Sequence, residues 1–188
     1  AVRTMSVRMI AAIVALCATI AGTAAATTLA PQPGALVLRK SDFPAAAKYR
    51  WGQLPAVFLQ GLDALGVKAK GAYAAGTISM SSTKYKSVTG TVLTTGSAAQ
   101  ARIVYKAFKD DLLSRSPTVQ RLPSYGDEQI ALLTSPRVGS KVDILVRRNT
   151  VVWQLEVLGG GLLTIPKATL LADLKAYAAK QKTRVGRG

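Results

Sequence analysis

Residues 141–158 read KVDILVRRNTVVWQLEVL: two runs of β-branched and large apolar residues around a polar centre. This segment limits the possible folds more than any other. Side chains in a strand alternate between two faces, and a wrong register moves every apolar group to the wrong side. With Arg148-Asn149 as a two-residue turn, Val146 faces Val151, Ile144 faces Trp153 and Val142 faces Leu155. The opposite side then pairs Arg147 with Thr150, Leu145 with Val152, and Asp143 with Gln154. One side is apolar and the other largely polar, which predicts an antiparallel hairpin against a core. Asn149 accepts positive φ, whereas Arg148 does so less readily, so a longer turn is the alternative.

The flanks extend the sheet. Residues 69–80 and 84–95 are short alternating runs rich in Ala, Ser, Thr, Val, Tyr and Gly, joined near Ser81–Thr83. Residues 125–134 lead into a strand, and SPRVGS (135–140) is a turn. Four segments carry helix signals. Ser41 or Asp42 caps a short helix with Pro44 in its first turn. Pro55 opens and Gly66 closes a second. Ser97 and Gln100 form a capping box for a helix over 98–114. Pro166 starts the last, 166–181, with Leu170, Leu171, Leu174, Tyr177 and Ala178 on its buried stripe. The expected fold is α+β, in the order helix-β-β-α-β-β-β-α. Its antiparallel sheet has about five strands, with the helices packed mainly on one face.

The amino-terminal part differs in kind. Arg3 and Arg8 precede an apolar run from Ile10 to Ile20, and Ala24-Ala25-Ala26 follows. That three-part pattern reads as a secretory signal peptide, residues 1–26, cut after Ala26 or, as second choice, after Ala24. The run is short for a membrane span, which takes about 20 apolar residues. An uncleaved anchor and lipidation at Cys17 are the lesser alternatives; Leu16 stands where a lipid-attachment motif needs a small residue. Residues 27–35 form a Pro-rich spacer, 36–181 a single domain and 182–188 a basic tail. Secretion, or residence in the cell envelope, is the expected localisation, with no transmembrane span in the mature form.

Without residues 1–26, which carry Arg3 and Arg8, 23 basic residues stand against 9 acidic ones, a net charge of about +14. Such a domain is drawn to anionic surfaces: envelope polymers or lipid headgroups. Nucleic acid is disfavoured by export and by an aromatic content of only 6%. The chain has no His, and its one Cys lies in the leader. That excludes imidazole general bases, thiol nucleophiles and His or Cys metal ligands. No cofactor, metal or catalytic residue is expected.

Several site candidates remain. Asp127 and Glu128 in SYGDE pair two carboxylates, which acid–base chemistry or a hard cation could use. The favoured reading is a turn in which Asp127 accepts from local backbone N–H groups. Arg147 and Arg148 are among the dispersed basic pairs. Trp51, Tyr49 and Phe58 could line a groove for a small apolar ligand, although core packing is the favoured reading. The triple glycine 159–161 lacks the spacing of a phosphate loop and reads as a flexible connection.

SDFPAAAKY (41–49), LPSYGDEQIAL (122–132) and DILVRRNTVVWQLEV (143–157), followed by an amphipathic helix, resemble a loose group of uncharacterised bacterial exported and lipoprotein-type domains. The likeness covers about half the chain, mostly 118–181, and implies an exported α+β domain without a settled activity. The leading functional expectation is a non-enzymatic exported binding or surface-associated domain. The alternatives are a His-free hydrolase using Ser or Asp, and a binder of a small apolar ligand.

Overall fold

The computed structural model describes residues 32–81, 84–115, 117–134, 140–161 and 165–186. The expected leader with Cys17, most of the spacer and the turn residues 82–83 and 135–139 lie outside these residues.

Among the described residues, seven antiparallel strands form one sheet. They are β1 (Lys48–Gln53), β2 (Ala69–Ser81), β3 (Lys84–Thr95), β4 (Thr118–Gln120), β5 (Glu128–Thr134), β6 (Ser140–Arg148) and β7 (Val151–Gly161). Their spatial order is β1-β2-β3-β7-β6-β5-β4. The helices are α1 (Pro33–Leu36), α2 (Ala56–Asp63), α3 (Ala98–Leu113) and α4 (Lys167–Val185). After the β1-β2-β3 meander, α3 carries the chain to the far edge, and β4 to β7 return until β7 pairs with β3.

The α+β class and antiparallel pairing stand, but the expected five strands are seven. β1 was missed because KYRWGQ carries Lys, Arg, Gly and Gln at an edge, where no apolar alternation is required. β4 has three residues, too few to show a period. The short helix expected around Ser41 and Asp42 is a single 3-10 turn, Lys40–Asp42, ahead of β1. Asp42 Oδ2 accepts from the Arg39 N–H at 2.7 Å.

The expectation of helices mainly on one face is also corrected. The first face buries Ala74, Val88, Ile144, Trp153 and Leu155 under α1, α4 and the 36–43 segment. The second buries Leu93, Leu132, Leu145 and Val152 under α2 and α3. The cause lies in β5, β6 and β7, which place apolar residues on both sides. Covering each side takes about 25 cal/mol per Å² of apolar surface out of water.

The hairpin keeps its expected faces but moves its turn. Val146 pairs with Trp153, Ile144 with Leu155 and Arg148 with Val151, so Asn149-Thr150 is the turn. Asn149 takes φ +51°. Sliding both partners together preserves which residues share a face, and an Asn, rather than an Arg, then occupies the left-handed position.

Ser97 Oγ accepts from the Gln100 N–H at 3.2 Å, and Gln100 Oε1 accepts from the Gly96 N–H at 3.1 Å. The capping pair therefore forms with its return bond one residue early. The last helix continues past residue 181 to Val185, which corrects the expected tail over those residues. Gln181 Nε2 donates to the Leu36 carbonyl at 2.6 Å, and Arg184 holds Asp42 at 2.6 Å. The first helix likewise begins inside the expected spacer, at Pro33, and both Pro33 and Leu36 are buried. The triple glycine belongs to β7 rather than to a connection, pairing with Lys84, Tyr85 and Lys86 of β3.

Candidate functional site

The second face divides into two halves. α2 and α3 bury one end. Toward the other, Tyr73, Ala75, Thr77 and Ser79 of β2, Tyr85, Ser87, Thr89 and Thr91 of β3, and Glu156 and Leu158 of β7 share that side. All are half-buried or exposed, whereas the alternating positions Ala74, Gly76, Val88, Gly90 and Val157 are buried on the first face. Among the described residues no helix covers this part of the sheet. It is an open floor of small hydroxyl side chains, with Lys48 and Arg50 of β1 along one margin, paired to Thr77 and Ala75.

Its two tyrosines have a common geometry. Tyr73 stands directly across from Gly52, and Tyr85 directly across from Gly160. A Cβ on Gly52 would lie 3.2 Å from Tyr73 Cε1, and one on Gly160 2.5 Å from Tyr85 Cζ and Oη. Each ring therefore lies over a neighbouring strand, Tyr85 in space that only glycine leaves and Tyr73 in tight contact above Gly52. Tyr85 keeps 40% of its surface exposed.

Where the open half meets the helices there is a groove of about 230 Å³. Leu54, Phe58, Phe108 and Leu112 form its apolar wall; Thr91, Gln154, Lys141 and Glu156 form its polar floor. Phe58 and Phe108 meet edge-on, with ring centres 5.7 Å apart. Asp111 and Arg115, a close ion pair one helical turn apart, stand at the mouth.

Within that polar floor, Lys141 Nζ donates to Glu156 Oε2 at 2.9 Å and lies 3.3 Å from Asp143 Oδ2. Asp143 is 1% exposed. Gln154 Nε2 donates to its Oδ1 at 3.1 Å, and its Oδ2 makes an ion-pair contact without hydrogen-bond geometry. Burial pushes the Asp143 carboxyl up to about 6; Lys141 opposes this shift, and the nearby Glu156 charge adds to it. Burial works to lower the Lys141 pKa, yet Asp143 and Glu156 together leave it raised.

Asp127, Glu128 and Arg147, three of the sequence candidates, come together as a clasp. Arg147 is 4% exposed. Its Nε donates to Glu128 Oε1 at 2.9 Å and its Nη1 to Asp127 Oδ2 at 3.1 Å. Asp127 Oδ2 also accepts from the Asn149 N–H at 2.8 Å. The backbone donor it meets is thus on the β6–β7 turn and not in its own turn. Arg148 points to the other face, with Nη1 beside Gly186 at the end of α4, where a cation meets the partial negative charge of the helix terminus.

Trp51 and Phe58 do not share a groove. Trp51 pairs with Ala74 on the first face and is 58% exposed beside Gly34. Tyr49 lies on that same face, bonded to the Leu38 carbonyl at 3.0 Å. Phe58 belongs to α2 on the second face. The sheet lies between them: Trp51 and Tyr49 share one side of β1, while α2 packs Phe58 on the other.

Lys141, Asp143, Tyr73 and Tyr85 were not singled out from the sequence. For Asp143 a signal existed: a carboxylate inside the apolar run 142–146. Among the described residues no group of His, Cys, Asp or Glu side chains is placed to hold a metal ion, and no helix is long and apolar enough to cross a membrane. Neither models of known protein families nor curated proteins show a match to this chain.

Proposed function

We propose that this chain is an exported, non-enzymatic binding domain that holds an anionic polymer of the cell envelope on the open half of its second face. The observation that carries the reading is the distribution of charge around that floor. Eight of the nine carboxylates (Asp42, Asp110, Asp111, Asp127, Glu128, Asp143, Glu156 and Asp173) are already engaged by basic side chains. Lys48 and Arg50 have no carboxylate partner among the described residues. The excess positive charge is therefore free to act on a partner, and two of its bearers border the uncovered strands.

The groove supports a second reading, a small ligand with an apolar body seated against Phe58 and Phe108 and a polar end at Gln154 or Glu156. The hydrolase alternative gains no support. Its carboxylates Asp127 and Glu128 are tied to Arg147, with no Ser or Lys bonded to them among the described residues.

Co-sedimentation with purified anionic wall polymer, across a salt series, tests the proposal. Binding that falls as salt rises supports it; absence of binding at low salt refutes it.

A further inference from the structure

We infer, on the basis of that binding reading, that the polymer is a glycan, and that Tyr73 and Tyr85 are the platforms on which its sugar rings stack. The pyranose rings of an acidic glycan offer one face of C–H groups and, at their rims, hydroxyls and carboxylates. Each part has a counterpart on the floor. The C–H groups, slightly positive, suit the negative face of an aromatic ring. Tyr73 and Tyr85 lie flat because Gly52 and Gly160 leave room beneath them, so an outward ring face is presented without any side-chain rearrangement. Preorganised rings lose little conformational freedom on binding. The rims meet Thr77, Ser87, Thr89 and Thr91, hydroxyls that donate and accept, and the carboxylates meet Lys48 and Arg50.

The spacing favours a chain over a single sugar. Tyr85 pairs with Ser79, six residues along β2 from Tyr73, which places the platforms roughly 20 Å apart along the strands. They also lean over different strands, β1 and β7, which lie three positions apart in the sheet, adding about 14 Å across it. A linear polymer laid diagonally touches both rings and passes the basic margin. A polyphosphate chain or a phospholipid headgroup satisfies the cations equally well but has no use for the ring faces.

The test compares two polyanions at equal charge concentration, polygalacturonate and inorganic polyphosphate, by calorimetric titration of the folded protein. Replacing both tyrosines with alanine should weaken polygalacturonate binding at least tenfold and change polyphosphate binding less than twofold. The phenylalanine pair should remain within threefold of the parent on both. Gly160→Ala gives an independent arm, because the new methyl displaces the Tyr85 ring at a non-strained backbone position; it should weaken the glycan alone. This arm also carries the test if the alanine pair fails to fold by circular dichroism. Parent-like glycan binding by the ring variants, with both polymers still bound, overturns the glycan inference and leaves polyanion binding in place. If the unsubstituted protein binds neither polymer, the proposed function itself fails.

Discussion

Arg147 Nη1 reaches Asp127 Oδ2 at 3.1 Å across 20 residues of chain, from a side chain that is 5% exposed to a carboxylate that is 43% exposed. This unequal burial decides how the clasp responds to mutation. Removing the cation leaves two carboxylates that water still reaches. Removing the carboxylates leaves a buried guanidinium without a counter-charge, the costlier case. Arg147→Met should cost about 1–2 kcal/mol, and the Asp127→Asn/Glu128→Gln pair about 3 kcal/mol or more. Urea unfolding measures both. The reverse order would show that the guanidinium's packing and its bond to the Asn149 carbonyl, and not its counter-charges, hold the clasp together.

Trp153 is 1% exposed and meets Tyr125 edge-on with ring centres 6.4 Å apart. Trp153→Ala should cost about 3–5 kcal/mol, the usual range for truncating a buried large aromatic. A loss below about 1 kcal/mol in equilibrium unfolding would contradict its place at the centre of the first-face core.

The Asp143 carboxyl, raised to about 6 chiefly by burial, predicts a pH effect of definite sign. Its charged form is disfavoured in the folded state, so its contribution to stability is present at low pH and is lost as pH rises through about 4 to 6. The loss amounts to about 2–3 kcal/mol for a shift of this size. Asp143→Asn keeps the acceptor for Gln154 and abolishes the titration. It should be at least as stable as the parent at pH 7 and lose that advantage by pH 4, measured by urea unfolding at both values. A variant that loses more stability at pH 7 than at pH 4 would mean that pairing with Lys141 outweighs burial.

The hairpin was legible in the sequence because apolar side chains can satisfy only one parity, and both turn placements that preserve it give the same faces. Its turn was misplaced by one residue because facial pattern is blind to such a slide; the tolerance of Asn149 for positive φ decides it. Helix α3 was legible from its cap and stripe. Strand β1 was not, since Lys48, Arg50 and Gly52 face the open floor and no core demands apolar residues there. The two-sided burial was written in Leu132, Leu145 and Val152, but pattern alone cannot show that a second helix layer will reach them. Of the candidate site, charge alone was legible. The tyrosine–glycine pairings arise between strands, and only cross-strand register reveals them.

The most direct test of the account uses charge position rather than charge amount. The Lys48→Gln/Arg50→Gln pair removes two cations from the margin of the open face, and Lys167→Gln/Lys175→Gln removes two exposed ones from α4. Each protein is sedimented with purified anionic wall polymer, and with anionic and neutral vesicles, between 0.1 M and 1 M salt, where the Debye length falls from about 10 Å to about 3 Å. The account predicts that the parent binds wall polymer at low salt and is released at high salt. The β1 pair should bind at least fivefold more weakly, and the α4 pair within twofold of the parent. Equal losses for the two pairs, equal retention on neutral and anionic surfaces, or binding indifferent to salt would contradict an anionic-polymer site on this face.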